Sequence, residues 1–343
     1  MAESKLVAAV AQTASVLLDT PATVEKAIGL MADAARQGAQ LLVFPEAFIG
    51  GYPKGADFDI YVGGRTAQGR AEFKRYFDAA VSVDGPEIAQ LAKAAARHRL
   101  YVCVGIIERD GGTLYCTAVY LGPGGEILGK HRKLMPTALE RLVWGFGDGS
   151  TLKAVDTPYG KLGAVICWEN YMPALRMAMY QQRVALYCAP TADDRDTWAA
   201  TMRHVALEGR CFVLSACQHL RRSQFPSDKM SNRLPEGADT VLMRGGSMII
   251  DPLGQVLAGP VFNEDALLTA ELDLSVIPMS QMDFDPVGHY ARPDVFSLRV
   301  NTAPQQAVTL AAQDVREERV TELASSQALA MGTLESLEGA RHG

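Results

Sequence analysis

The chain is built from short, almost uniformly apolar runs separated by stretches with helical spacing, and this alternation most limits what it can fold into. KLVAAVAQT (5–13), QLLVF (40–44), LYVCVGII (100–107), KLGAVIC (161–167), VALYCAP (184–190) and CFVLSACQ (211–218) carry apolar residues at nearly every position. A strand needs that pattern when both of its faces are covered, because a half-exposed strand alternates apolar with polar. Between the runs the period changes. Val24, Ala27, Ile28, Met31, Ala34 and Ala35 share one helical face. Thr20, with Pro21 at the first helical position, is the expected cap of that helix, and Gly38 its end. Asp84 and Glu87 flank Pro86 at capping-box spacing ahead of IAQLAKAAARHR. Two more helices are expected over about 171–183 and 195–209.

Other strands are joined by tight turns. TLYCTAVYLG (113–122) and EILGKH (126–131) flank Pro123-Gly124-Gly125, and GGSMIID (245–251) and QVLAG (255–259) flank an Asp-Pro-Leu-Gly turn. ALLTAELDL (266–274) is the last clear strand. Interleaved strands and helices with several hairpins predict an α/β fold with a mixed sheet, or two sheets packed together. No Pro/Gly/Ser linker divides the chain, so one domain is expected over residues 1–300. Residues 50–80 and 220–244 read as excursions, either lids or surface insertions. From 301 to 343 the composition shifts to Gln, Glu, Ala and Ser, as in a partly helical, oligomerising or disordered tail.

Composition narrows the function. The chain has 343 residues, 48% of them hydrophobic, which is ample material for a large core. Lys and Arg number 33 against 39 Asp and Glu, a net charge of −6, and no sustained basic block occurs. Such a chain is a poor candidate for binding nucleic acid. Gln12, Thr13 and Ser15 interrupt the first apolar stretch and no basic segment precedes it, so no signal peptide is expected. No apolar run reaches the ~18 residues of a membrane span. Six cysteines without a CxxC pair or a Cys/His cluster suggest neither a disulfide framework nor a metal site. A reducing, cytoplasmic compartment is the expectation.

Three polar residues stand where strands end, the place where α/β folds collect reactive side chains. Glu46 follows LLVFP, Lys133 lies in KHRKLMPT, and Cys167 ends GAVIC and begins CWENYMP. Singly, each has an ordinary reading: a cap or surface charge, a solvated basic stretch, a small buried hydrophobe. The last reading is the expectation for Cys103, Cys116, Cys188, Cys211 and Cys217, each inside an apolar run. Jointly the three supply what attack on a carbon–nitrogen bond needs. A thiolate is the nucleophile, a carboxylate takes the thiol proton and activates water, and an ammonium stabilises developing negative charge. The Trp168 backbone N–H is a further donor. Tyr52, Trp168, Pro190 and Thr191, just beyond strand ends or near them, are candidates for lining a substrate cavity, with core or rim packing as the alternative.

FPEAF, HRKLMPTALERLVWGFGDGS and GAVICWENYMP closely resemble the nitrilase superfamily, specifically its true nitrilase branch. The resemblance continues through YCAPTAD, RHVALEGRCFVLSACQ, GGSMIIDPLGQVLAGP and GHYARPDVFSL, in matching order. It implies a four-layer α-β-β-α sandwich. It also implies a Glu–Lys–Cys triad of Glu46, Lys133 and Cys167, with Glu140 as a second glutamate that positions substrate or supports Lys133. The implied reaction is hydrolysis of a small-molecule nitrile by water, through a cysteine thioimidate and thioester, without metal or organic cofactor. An amidase or a cyanide dihydratase is the nearest alternative on the same fold, and a non-catalytic scaffold the remote one. The resemblance further implies a homo-oligomer built from dimers and extended into a spiral or helical assembly. Met172, Leu175 and Met179 on one helix, and Trp198, Met202 and Val205 on the next, are then candidates for the two-fold interface.

Overall fold

Successive side chains of a strand point to opposite faces, and here both faces are apolar. In β1 (Lys5–Gln12) Val10 packs to one side while Ala9 and Ala11 pack to the other. The computed structural model describes residues 4–226 and 234–308. After β1 come α1 (Thr20–Arg36), β2 (Leu41–Val43), the short pair β3 (Ile60–Tyr61) and β4 (Gly64–Arg65), α2 (Ala67–Ala79) and α3 (Pro86–His98). Then follow β5 (Tyr101–Asp110), β6 (Thr113–Leu121), β7 (Ile127–Arg132), β8 (Val155–Thr157), β9 (Gly160–Ala164), α4 (Pro173–Gln181) and β10 (Val184–Thr191). The rest are α5 (Asp196–Gly209), β11 (Phe212–Cys217), β12 (His219–Arg221), β13 (Val241–Ile250), β14 (Val256–Phe262), β15 (Ala266–Asp273) and α6 (Val276–Asp283).

The strands form two mixed sheets. The first runs β15-β1-β2-β5-β6-β7, parallel at β1/β2/β5 and antiparallel elsewhere. The second runs β12-β13-β11-β10-β9-β8, parallel at β9/β10/β11, with β14 also paired to β13. Between the sheets lie Val10, Val43, Cys103 and Ala118 from the first and Leu186, Cys188, Leu214 and Ile249 from the second. The outer face of the first sheet, with Leu42 and Val102, packs on Val24, Ala27 and Met31 of α1 and on Ile88 and Leu91 of α3. The outer face of the second, with Tyr187 and Val213, packs on Leu175 and Met179 of α4 and on Trp198, Met202 and Val205 of α5. This is the expected four-layer α-β-β-α sandwich, and it explains why so many strands lack polar alternation.

Buried amides pin one sheet to the other. Gln12 donates to Val261 O (3.0 Å) and Glu264 O (2.9 Å) and accepts from Ser247 N (2.8 Å). Gln218 donates to Glu46 O (3.1 Å) and accepts from Ser15 N (3.2 Å).

Several local expectations need correction. Asp19, not Thr20, caps α1: its carboxylate accepts from Ala22 N, while Thr20 is already helical and buried. Asp84 does not cap α3, whose cap is Gly85, and Pro86 alone marks the start. The helix expected from 171 begins at Pro173, because Cys167–Tyr171 forms a separate one-turn 3-10 helix. The 50–80 excursion holds a 13-residue helix, α2. Leu175, Met179, Trp198, Met202 and Val205 are buried within the protein's own core, so they do not form an exposed interface. The chain divides after Ala303, and the tail expected beyond 301 lies, from residue 309, outside the described residues.

One close approach places the segment after β2. Phe44 N bonds Cys103 O (2.8 Å) and Ile49 N bonds Gly105 O (3.0 Å), so Phe44–Ile49 runs beside β5 as an interrupted continuation of the strand. A Cβ on Gly105 would lie 2.2 Å from Pro45 O and 2.9 Å from Glu46 Cα. Gly105→Ala is therefore expected to cost about 1–3 kcal/mol through overpacking. Turnover should fall as well, because the displaced backbone carries Glu46. Urea denaturation with an unchanged slope, alongside a steady-state assay, checks both effects.

Candidate active site

Glu46 reaches the space between the sheets because the backbone kinks where it leaves β2. Ala47 takes φ +50°, a left-handed value that a non-glycine residue adopts only when its surroundings enforce it. Lys133 follows the last residue of β7, with its N–H on Cys116 O and its carbonyl accepting from Gly147 N, both 2.8 Å. The residue is 1% exposed. The ammonium donates to Glu46 Oε1 at 2.6 Å and Glu140 Oε2 at 2.7 Å, and lies 5.6 Å from the centre of the Trp144 ring. Glu140 sits on the 3-10 turn Ala138–Leu142, where it also accepts from Thr137 N (2.7 Å) and from Tyr52 OH (2.9 Å).

One buried cation thus faces two carboxylates. Burial by itself disfavours the Lys133 charge, but Glu46, Cys167, Cys116 and Glu140 outweigh it and push the ammonium's pKa well up. Burial pushes the Glu46 carboxyl up as well; Lys133 opposes and Glu140 reinforces the shift. Glu46 is therefore a carboxylate with raised proton affinity, the property a general base for a thiol requires. Its Oε1 takes both the Lys133 ammonium and the Cys116 thiol (3.4 Å), while its buried Oε2 has no partner among the described residues. Cys116 is buried, as expected, but it is more than a packing residue, because its thiol donates into the cluster.

Cys167 opens the 3-10 turn after β9 with φ +52°. The turn is held from three sides. Asn170 Nδ2 donates to Val165 O (2.9 Å) and Cys167 O (2.8 Å), and Tyr187 OH donates to Asn170 Oδ1 (2.9 Å). Arg176, paired with Glu208 at 2.6 Å, donates to Asn170 O (2.7 Å). The buried Glu169 carboxylate accepts from Ile166 N (2.8 Å) and Leu134 N (2.7 Å), with His131 Nε2 at 3.1 Å. Glu169 so ties the residue before Cys167 to the residues on either side of Lys133. Its role in CWEN was not read from the sequence, where nothing distinguishes it from a surface acid.

The Cys167 sulfur is 4% exposed as a residue and accepts from Thr191 Oγ1 at 3.2 Å. Burial, then Glu46, push its thiol up, and Lys133 opposes them. A thiol shifted in that direction needs a base to take its proton as it attacks. Cys167 and Tyr52 both feel Glu46, Glu140 and Lys133 electrostatically, which puts Tyr52 and the four expected site residues in one neighbourhood. The remaining wall candidates divide. Thr191 touches the sulfur. Trp168 is 42% exposed at the rim, with Nε1 on Asp193 Oδ2 (2.8 Å) and the Arg195 guanidinium 4.9 Å over its ring. Pro190 is buried in β10 opposite Ala216 and enters none of these hydrogen bonds. Among the described residues no group of three His, Cys, Asp or Glu side chains is placed to hold a metal ion.

Residues 7–278 match the carbon-nitrogen hydrolase family. The chain belongs to that family. An aliphatic nitrilase of Sinorhizobium fredii is 62% identical over 305 residues, 89% of this chain and 98% of that one. A bifunctional nitrilase/nitrile hydratase of Lupinus angustifolius is 52% identical over 321 residues, covering 92% of this chain and 91% of that one. The carbon-nitrogen hydrolase of Helicobacter pylori G27 shares the fold, with a TM-score of 0.68 at 19% identity over 86% of this chain and 98% of that one. The resemblance to the nitrilase branch, read from the sequence blocks, is thereby upheld.

In this carbon-nitrogen hydrolase, Glu169→Gln leaves one of the two backbone N–H groups without its carboxylate acceptor, since an amide nitrogen cannot accept. A hydrogen bond to a charged group is worth about 1.5–3 kcal/mol. Turnover is expected to fall by at least about tenfold, because Leu134 and Ile166, which those bonds hold, flank Lys133 and Cys167. Steady-state kinetics with a thermal melt separate this from unfolding.

Proposed function

We propose that this carbon-nitrogen hydrolase converts an organic nitrile and water to the carboxylic acid and ammonia, with Cys167 as nucleophile. The observation that carries the reading is the buried thiol sharing one electrostatic cluster with Glu46, of raised proton affinity, and with the ammonium of Lys133. The relatives' names favour nitriles over amides as substrates.

In this mechanism Glu46 Oε2 takes the Cys167 proton and the sulfur adds to the nitrile carbon. Lys133 and the Trp168 N–H stabilise charge on the nitrogen, which takes the proton back from Glu46 to give a thioimidate and leaves Glu46 ionised. Glu46 deprotonates a water, and its addition yields a tetrahedral carbon bearing sulfur, nitrogen and oxygen. Glu46 returns the water proton to nitrogen, the new hydroxyl gives up its proton to nitrogen by way of Glu46, the C–N bond breaks, ammonia leaves and a thioester remains. A second water, activated in the same way, breaks the C–S bond and releases the acid. Glu140 holds Lys133 in place, and Tyr52 holds Glu140. Breaking the C–S bond at the first tetrahedral stage releases an amide instead; the bifunctional relative's name supports that branch.

The same proposal extends to self-association and a reducing, cytoplasmic setting. A groove of about 890 Å³ lined by Leu152, Met177, Tyr290, Phe296 and Leu298 supports the first, since Phe296 is 77% exposed and large apolar side chains in such numbers favour a partner. Six unpaired cysteines support the second. Light scattering in solution tests the assembly, and a particle of 37.0 kDa alone would count against it.

Cys167→Ala is expected to abolish ammonia release from a nitrile panel while leaving the circular dichroism spectrum unchanged. Glu46→Gln, which cannot accept a proton, should likewise fail to release acid. Ordinary acid release by either variant would remove that residue from its role, and turnover of amides in preference to nitriles would favour an amidase.

A further inference from the structure

Thr191 was expected to line the cavity, yet its hydroxyl points at the reacting atom. The residue is fully buried at the last position of β10. Its Oγ1 lies 3.2 Å from Cys167 Sγ and 2.9 Å from Asp193 N. The second contact is compatible with a hydroxyl that donates to the sulfur. A backbone N–H can only donate, so it occupies one of the two lone pairs of Oγ1 and leaves the hydroxyl hydrogen available; in the structure that hydroxyl donates to the sulfur. Asp193 is itself fixed: its Oδ2 accepts from Trp168 Nε1 (2.8 Å) and its Oδ1 from Arg195 N (3.0 Å) and Arg195 Nε (2.8 Å). Trp168 is peptide-bonded to Cys167, so the contacts close a ring from the nucleophile through Trp168, Asp193 and Thr191 back to its own sulfur.

We propose that Thr191 is a catalytic residue: its hydroxyl stabilises the Cys167 sulfur as a thiolate whenever the C–S bond forms or breaks, and thereby sets how much amide accompanies the acid. The proposal rests on the nitrile-hydrolysing reading of the same site. Among the described residues, Glu46, Lys133, Glu140, Tyr52, Cys217 and Arg195 also act on or respond to the sulfur electrostatically. Thr191 and Lys133 favour the thiolate; burial, Glu46 and Glu140 oppose it. At the tetrahedral stage the carbon has two leaving groups. Cleavage of C–N, with a proton delivered to nitrogen, gives ammonia and the thioester. Cleavage of C–S, with the electron pair kept by sulfur, gives the amide and a thiolate that recovers its proton from Glu46. A donor on the sulfur lowers the barrier of the second path.

Thr191→Val has a similar shape and lacks the hydroxyl; Thr191→Ser keeps both hydrogen bonds. The deciding measurement needs no nitrile: the rate at which iodoacetamide alkylates Cys167 as a function of pH, with the site assigned by peptide mass spectrometry. The valine variant should be alkylated about tenfold more slowly at neutral pH, with its pH dependence displaced upward by about one unit, as expected for losing one hydrogen bond to a charged sulfur. The serine variant should stay within about threefold of the wild type, its donor being retained. On a nitrile from which the wild type releases both products, the amide share should drop in the valine variant and persist in the serine variant. Alkylation of the valine variant at the wild-type rate, or equal slowing of both variants, would overturn the proposal. Failure of the wild type to hydrolyse any nitrile would instead overturn the functional reading and leave the alkylation result to stand on its own.

Discussion

A lysine ammonium with almost no contact to water is tolerable only if it is paired, and Lys133 is paired twice, with Glu46 and Glu140. Removing one partner from a buried ion pair costs about 3–5 kcal/mol. The structure around the cluster is arranged to keep that from happening. Glu46 arrives on a kinked extension of β2 against the bare face of Gly105. Lys133 is clamped by backbone bonds on both sides, and Glu140 is held by its own turn and by Tyr52. One positive charge against two negative ones leaves excess negative potential beside the Cys167 sulfur. Burial, reinforced by Glu140 at both sites, raises the thiol and the Glu46 carboxyl together, so proton transfer between them runs between groups shifted in the same direction.

The sandwich supplies what this arrangement needs. Glu46 and Lys133 come from the first sheet and Cys167 and Thr191 from the second, so the cluster lies where the two sheets face each other. Gln12 and Gln218 are polar ties between the sheets, and Gln218 bonds the Glu46 carbonyl directly. Glu169 performs the corresponding task for the loops, linking the strand end that carries Lys133 to the turn that carries Cys167.

Much of this was legible in the chain. Uninterrupted apolar runs such as LYVCVGII can exist only where both faces of a strand are covered, and the layers follow from that. Helix starts were less legible: Asp19 and Thr20 are both competent caps, and only backbone geometry selects Asp19. α2 was missed because Phe73, Tyr76 and Phe77 are set among Arg70, Lys74, Arg75 and Asp78, which weakens its apolar stripe. Glu46, Lys133 and Cys167 could be picked out at strand ends, but their convergence depends on strand order across two sheets, which spacing does not encode. Cys116 and Glu169 look like a core thiol and a surface acid until their partners are seen. Leu175 and Trp198 look like interface residues until the sheet beneath them is present.

The central claim is that the Lys133 cluster serves a single nucleophile, Cys167. Rapid acid quench of the wild-type enzyme during nitrile turnover, followed by peptide mapping, tests it most directly. The account predicts a covalent adduct of acyl or imidoyl mass on the peptide containing Cys167, with the other five cysteines unmodified. An adduct on another residue, or product release under conditions where a trappable Cys167 adduct never forms, would contradict it.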